Sequence, residues 1–132
     1  MMPAVRGAPR PAFGVVLLLA LLLPAFAPAW AGEADVVAAK VTRVRDGVYH
    51  FDVTIRSRDR GWDYYCDRFE VLSPAGRVLG VRELLHPHET EQPFARELSG
   101  VNVPVGITHV IIRARHKPRG YDGTTLEVEL PK

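Results

Sequence analysis

The chain has 132 residues, 24% of them charged, with 17 Lys and Arg against 15 Asp and Glu. That length allows one domain with a single core, and the near-balance of charge excludes a basic footprint for nucleic acid. The lone cysteine, Cys66, excludes an internal disulfide, so stability has to come from packing.

Residues 1–31 read as a secretory signal peptide. Arg6 and Arg10 form a positive n-region, residues 13–23 an apolar helical h-region, and Ala29-Trp30-Ala31 a small-x-small cleavage pattern. Cleavage removes two basic residues and no acidic one, so the expected mature form, residues 32–132, is formally neutral. The apolar run 12–31 is about long enough to span a bilayer, which needs roughly 20 residues. Pro24 and Pro28 interrupt it, so no membrane insertion is expected after cleavage. Neither a lipid-anchor cysteine near the cleavage site nor a twin-arginine pair is present.

Strand signals follow without a helical period. Residues 36–45 are valine-rich, and Asp46-Gly47 is a two-residue hairpin turn. Residues 48–57 alternate, with Tyr49, Phe51, Val53 and Ile55 on one face and His50, Asp52, Thr54 and Arg56 on the other. Further strands are predicted at 64–72, 77–85, 94–98, 107–115 and 124–130, each bounded by Gly, Pro or charged residues. In the third strand, alternation puts Tyr65 and Asp67 inward with Phe69 and Val71, and Cys66 outward with Arg68 and Glu70. An inward Asp67 requires a bulge or a partner. Cys66 itself reads as a small packed residue rather than a redox thiol or metal ligand.

Seven short strands predict an all-β, antiparallel, immunoglobulin/fibronectin-like sandwich. If successive strands run antiparallel, loops 58–63, 86–93 and 117–123 gather at one end. Most of the residues with chemical interest lie in these loops.

Two constellations stand out there. In His86-Pro87-His88-Glu89-Thr90-Glu91 the two imidazoles are roughly 6–7 Å apart along an extended chain and can converge on one metal. Copper or zinc would suit them, with Glu89, Glu91 or His116 completing the set. The second comprises Trp62, Asp63 and Tyr64, with Tyr121 and Asp122 from the last loop. Aromatic area beside carboxylates can bind a sugar or peptide. His50 and His109 read as ordinary strand histidines. An enzyme is not expected: Ser57, Ser73 and Ser99 lack a nucleophile-elbow context, and a small sandwich offers little room for a deep cleft around pairs such as Asp63 and Glu91.

The segments Gly61-Trp62-Asp63, Asp67-Arg68-Phe69-Glu70-Val71, Leu85-His86-Pro87-His88-Glu89, Glu91-Gln92-Pro93-Phe94 and Leu98-Ser99-Gly100-Val101 resemble a family of small exported bacterial β-sandwich proteins of unassigned function. Val103-Pro104-Val105-Gly106 and Ile112-Arg113-Ala114 fit the same pattern. The resemblance implies a periplasmic or secreted setting and gives no residue a role. The expected function is a non-catalytic binding or accessory domain for an envelope protein or glycan. The alternative is a periplasmic copper or zinc protein built on His86-Pro87-His88.

Overall fold

The computed structural model describes residues 31–132, together with Pro3 and Gly7. The segment read as a signal helix lies otherwise outside the described residues. Seven strands follow: β1 (Ala34–Arg45), β2 (Val48–Ser57), β3 (Tyr65–Leu72), β4 (Val78–Glu83), β5 (Phe94–Asn102), β6 (His109–Lys117) and β7 (Leu126–Glu129). They form a three-stranded sheet, β1-β2-β5, and a four-stranded sheet, β4-β3-β6-β7, with every pairing antiparallel. This is the predicted sandwich.

Alternation explains the core. β2 turns Phe51, Val53 and Ile55 inward and half-exposes His50, Asp52, Thr54 and Arg56. Phe69 and Val71 from β3, Phe94 and Val101 from β5, and Val110, Ile112 and Ala114 from β6 fill the space between the sheets. Leu126, Val128 and Leu130 pack against this core, as their spacing predicts. Gly47, with φ of +72°, makes the tight β1–β2 turn.

Two expectations change. β5 does not end at Leu98 but continues to Asn102. Gly100 takes φ of +69°, and a register shift against β2 between Tyr49 and Phe51 absorbs the extra residue, so the strand bends and goes on. In β3 a register shift between Cys66 and Arg68 reverses the predicted parity. Cys66 points inward, wholly buried, and Asp67 turns out to meet Arg115 at 3.2 Å. Burial, chiefly, and then the negative field of Asp59 push the Cys66 thiol well above its ordinary range, so it is a packed thiol rather than a reactive thiolate.

β1 also bridges the sheets. Its first residues pair with β2, while the Val36 N–H donates to the Thr124 carbonyl at 2.9 Å. Asp35, buried, accepts the Thr124 N–H at 2.6 Å, and Asp122 accepts the Glu33 N–H at 3.1 Å. The β6–β7 loop thereby straps the start of β1.

Candidate functional site

The three loops predicted to share an end do meet, and a buried carboxylate joins two of them. Asp59, from the β2–β3 loop, has a side chain with no exposed surface. It accepts the Ser57 hydroxyl at 2.8 Å, the Cys66 N–H at 2.9 Å and the His88 N–H at 2.8 Å. Gln92 adds a second link. Its Oε1 accepts the Ser57 N–H at 2.8 Å, and its Nε2 donates to the Ser57 hydroxyl and to the His88 carbonyl. The third loop joins through His116, which exchanges both backbone hydrogen bonds with Gly120. The His116 ring packs edge-on against Tyr64 with centroids 4.4 Å apart, and its Nε2 lies 3.4 Å from the Arg58 carbonyl. The bonds to Asp59 satisfy donors on the buried residues Ser57, Cys66 and His88 that would otherwise be left unpaired.

Of the predicted metal set, the structure brings His86 and His88 together, with ring centroids 4.4 Å apart. His88, however, is a core residue. Its ring stacks on Phe94 at 4.0 Å, and Arg96 donates to its Nε2 at 2.8 Å, which leaves the proton on Nδ1. A nitrogen engaged by a guanidinium binds a metal only if Arg96 is displaced. His86 is exposed and its Nδ1 lies 3.0 Å from the Pro87 carbonyl. Glu89 and Glu91 are exposed and His116 is wholly buried. None of the three forms a triad with the two histidines among the described residues.

Burial, then the charges of Arg96 and His86, hold the His88 imidazole below its ordinary value of 6.5, against smaller upward pulls from Asp59 and Glu91. The unfolded chain therefore takes up this proton at a higher pH than the folded one. The stability tied to the neutral ring is complete above the unfolded value and falls as the pH drops through it. Urea melts at about pH 7.5 and about pH 5.5 should show a larger acid loss in the wild type than in His88→Leu. Equal losses in the two proteins would remove His88 as the cause.

The predicted ligand set divides in two. Trp62 is 64% exposed, edge-on to Tyr65 with centroids 6.0 Å apart, and Asp63 beside it is exposed. Tyr64 is half-buried under Arg60, whose guanidinium carbon lies 4.8 Å from the ring centroid, and Arg119 is a second cation beside it. Tyr121 lies instead across the outer face of the four-stranded sheet. Its ring covers Arg113 at 3.8 Å, and its hydroxyl accepts from Arg68 at 2.7 Å and donates to the buried Glu70 at 3.0 Å. Asp122 belongs to the β1 strap. The open surface of the loop end is thus Trp62, Asp63, Leu85 (78% exposed), His86 and Glu89.

Sequence reasoning missed one group. His50 Nε2 lies 3.4 Å from Asp52 Oδ1 and 4.0 Å from Glu97 Oε1, and His50 Nδ1 lies 2.7 Å from the Ser99 hydroxyl. This is the group of three donors close enough for one cation among the described residues, its ligand atoms all within 4.8 Å. The i, i+2 spacing of His50 and Asp52 was a visible signal; Glu97 arrives only through the β2–β5 pairing.

No protein-family model and no solved structure matches the chain. It is similar to a protein of Halomicrobium mukohataei described as "Putative lipoprotein", with 38% identity over 97 residues, or 74% of this chain and 47% of that protein. The chain therefore spans about half the length of the curated relative it matches.

Proposed function

We propose that this chain is an exported, non-catalytic binding domain whose loop end docks an envelope glycan. The observation that carries the reading is Trp62, 64% exposed on loops that the Asp59 network holds in place. A solvent-facing indole is an apolar platform for a sugar ring, and the neighbouring Asp63 and Glu89 can accept hydroxyl hydrogen bonds. The likeness to a protein described as a lipoprotein supports export and an envelope setting, with the periplasm as the proposed location.

The chain has two tryptophans, Trp30 and Trp62, so in the processed form Trp62 alone reports by fluorescence. Titration with soluble chito- and cello-oligosaccharides should change its emission saturably. Binding followed by calorimetry should be lost in Trp62→Ala and kept in His86→Ala. An unchanged emission across the whole oligosaccharide series would turn the reading toward a protein partner.

A second reading has its own observation. A four-coordinate zinc with bonds of about 2.0–2.1 Å needs donors roughly 3.4 Å apart. The His50–Asp52 separation is 3.4 Å, and Glu97, with a side chain 70% exposed, can close the rest. The Ser99 contact orients the imidazole as an outer partner does in a metal site. On this reading the domain holds zinc or copper at His50 rather than at His86-Pro87-His88. Zn²⁺ should then raise the melting temperature of the wild type and of His86→Ala/His88→Ala, but not of His50→Ala.

A further inference from the structure

Where the edge strands β4 and β5 lie side by side without pairing, a groove of about 310 Å³ opens on the outer side, bordered by Asp52, Arg82, Ala95, Arg96 and Glu97. A smaller cavity of about 100 Å³ continues it toward His86 and His88. Arg82 and Arg96 border both spaces.

The two arginines are held in a related way. β5 is an edge strand, so its outward carbonyls have no ladder partner. Arg96 donates through Nη1 to the Ala95 carbonyl at 2.6 Å, and Arg82 through Nη1 to the Glu97 carbonyl at 3.1 Å. Carbonyls two residues apart on a strand point the same way and are roughly 6–7 Å apart. The guanidiniums are thus moored side by side along one edge. Each has five N–H donors. The bonds described for Arg96 use one toward Ala95 and one toward His88 Nε2, and the bond described for Arg82 uses one toward Glu97.

Neither guanidinium makes a direct ion pair among the described residues. The carboxylate ion pairs described go elsewhere: to Arg43, Arg68, Arg113 and Arg115, or to histidines. Asp52 and Glu97 border the groove but approach His50. Arg96 is half-buried, lies 5.8 Å from the Phe94 centroid, and its described hydrogen bonds go to a carbonyl and an imidazole nitrogen. A partly desolvated cation with neutral partners is costly, and a bound anion relieves that cost.

We propose that this seam is an oxyanion site, in which Arg82 and Arg96 clamp the carboxylate or phosphate group of a small ligand lying in the groove. Two moored guanidiniums with spare donors are the geometry for paired, charge-assisted hydrogen bonds to such a group. The site uses neither Trp62 nor Asp63 and stands independently of the glycan reading.

The test uses inorganic phosphate and acetate as separate probes, each against NaCl of matched ionic strength. Melting curves and the arginine Nε–H NMR resonances are read together. Phosphate or acetate should raise the melting temperature beyond NaCl and move the Arg82 and Arg96 resonances saturably. Whichever probe does so tells a phosphate ligand from a carboxylate one. Arg82→Gln should weaken the probe by about tenfold or more, since a hydrogen bond to a charged group is lost. Arg77→Gln, an exposed arginine away from the seam, should leave it unchanged. If Arg96→Gln unfolds, Arg82→Gln still decides, because Arg82 is exposed and its described hydrogen bond goes to a carbonyl. Two results overturn the proposal. One is no effect of either anion beyond matched NaCl. The other is undiminished binding in Arg82→Gln, which would leave both arginines as caps on a strand edge.

Discussion

Asp59→Ala is expected to lower the stability of the domain by about 3–5 kcal/mol, the top of the range for a single substitution. The carboxylate serves three donors at once: the Ser57 hydroxyl and the backbone N–H groups of Cys66 and His88. All three residues are buried, so water cannot readily replace the lost acceptor. Each stranded donor costs about 1–3 kcal/mol, with partial relaxation keeping the total below the simple sum. Asp59→Asn keeps one acceptor oxygen but sets an amide N–H against a backbone donor, so it should fall between the wild type and alanine. Urea denaturation read by circular dichroism measures both. A loss under about 1 kcal/mol for Asp59→Ala would mean that the loops are held by something other than this carboxylate. The same variant bears on function, since Trp62 sits on a loop that Asp59 ties to β3 and to the β4–β5 connection.

The second large effect is expected at Gly123. A Cβ there would overlap the Ala34 carbonyl and come within 2.9 Å of Asp35 Oδ1. The obstacle is β1 backbone rather than the end of a flexible side chain, so the loop has to move. Moving it strains or breaks three bonds: Thr124 N–H to Asp35, Val36 N–H to the Thr124 carbonyl, and Glu33 N–H to Asp122. Alanine also reduces the freedom of the unfolded chain, a gain of about 0.4–1 kcal/mol. That gain is too small to offset the clash, and Gly123→Ala should destabilise by about 3 kcal/mol. Hydrogen exchange should show faster exchange at the Val36 and Thr124 amides, with the β3–β6 pairing less affected. A variant as stable as the wild type, with both amides still protected, would sink this account.

Much of the sandwich was legible because a half-buried strand writes its two faces into alternate residues. Phe51, Val53 and Ile55 are core, as their spacing says. The gathering of three loops was legible too, because it follows from antiparallel order alone. Other features depend on neighbours that are distant in the chain. The shift at Cys66 and Arg68 inverts a face within one residue, and nothing local distinguishes it from regular alternation. His88 looks like half of a metal pair until Phe94 and Arg96 occupy its ring face and its Nε2. The Glu97 carboxylate reaches His50 only because β5 pairs with β2. The Arg82–Arg96 clamp likewise exists only because strands from different sheets share an edge. Spacing along the chain carries face information, while a site assembled across sheets needs the topology.

The strap between the two ends of the domain also sets an order in time. Glu33 and Asp35 find their partners 89 residues downstream, at Asp122 and Thr124. A chain emerging from the ribosome cannot make these bonds until residues 122–124 have followed. Until then β1 is held through β2, which β5 flanks on its other side, and its first residues lack their bonds to the β6–β7 loop. These bonds join residues far apart in the chain, so the strap is a contact of high sequence separation rather than a local element.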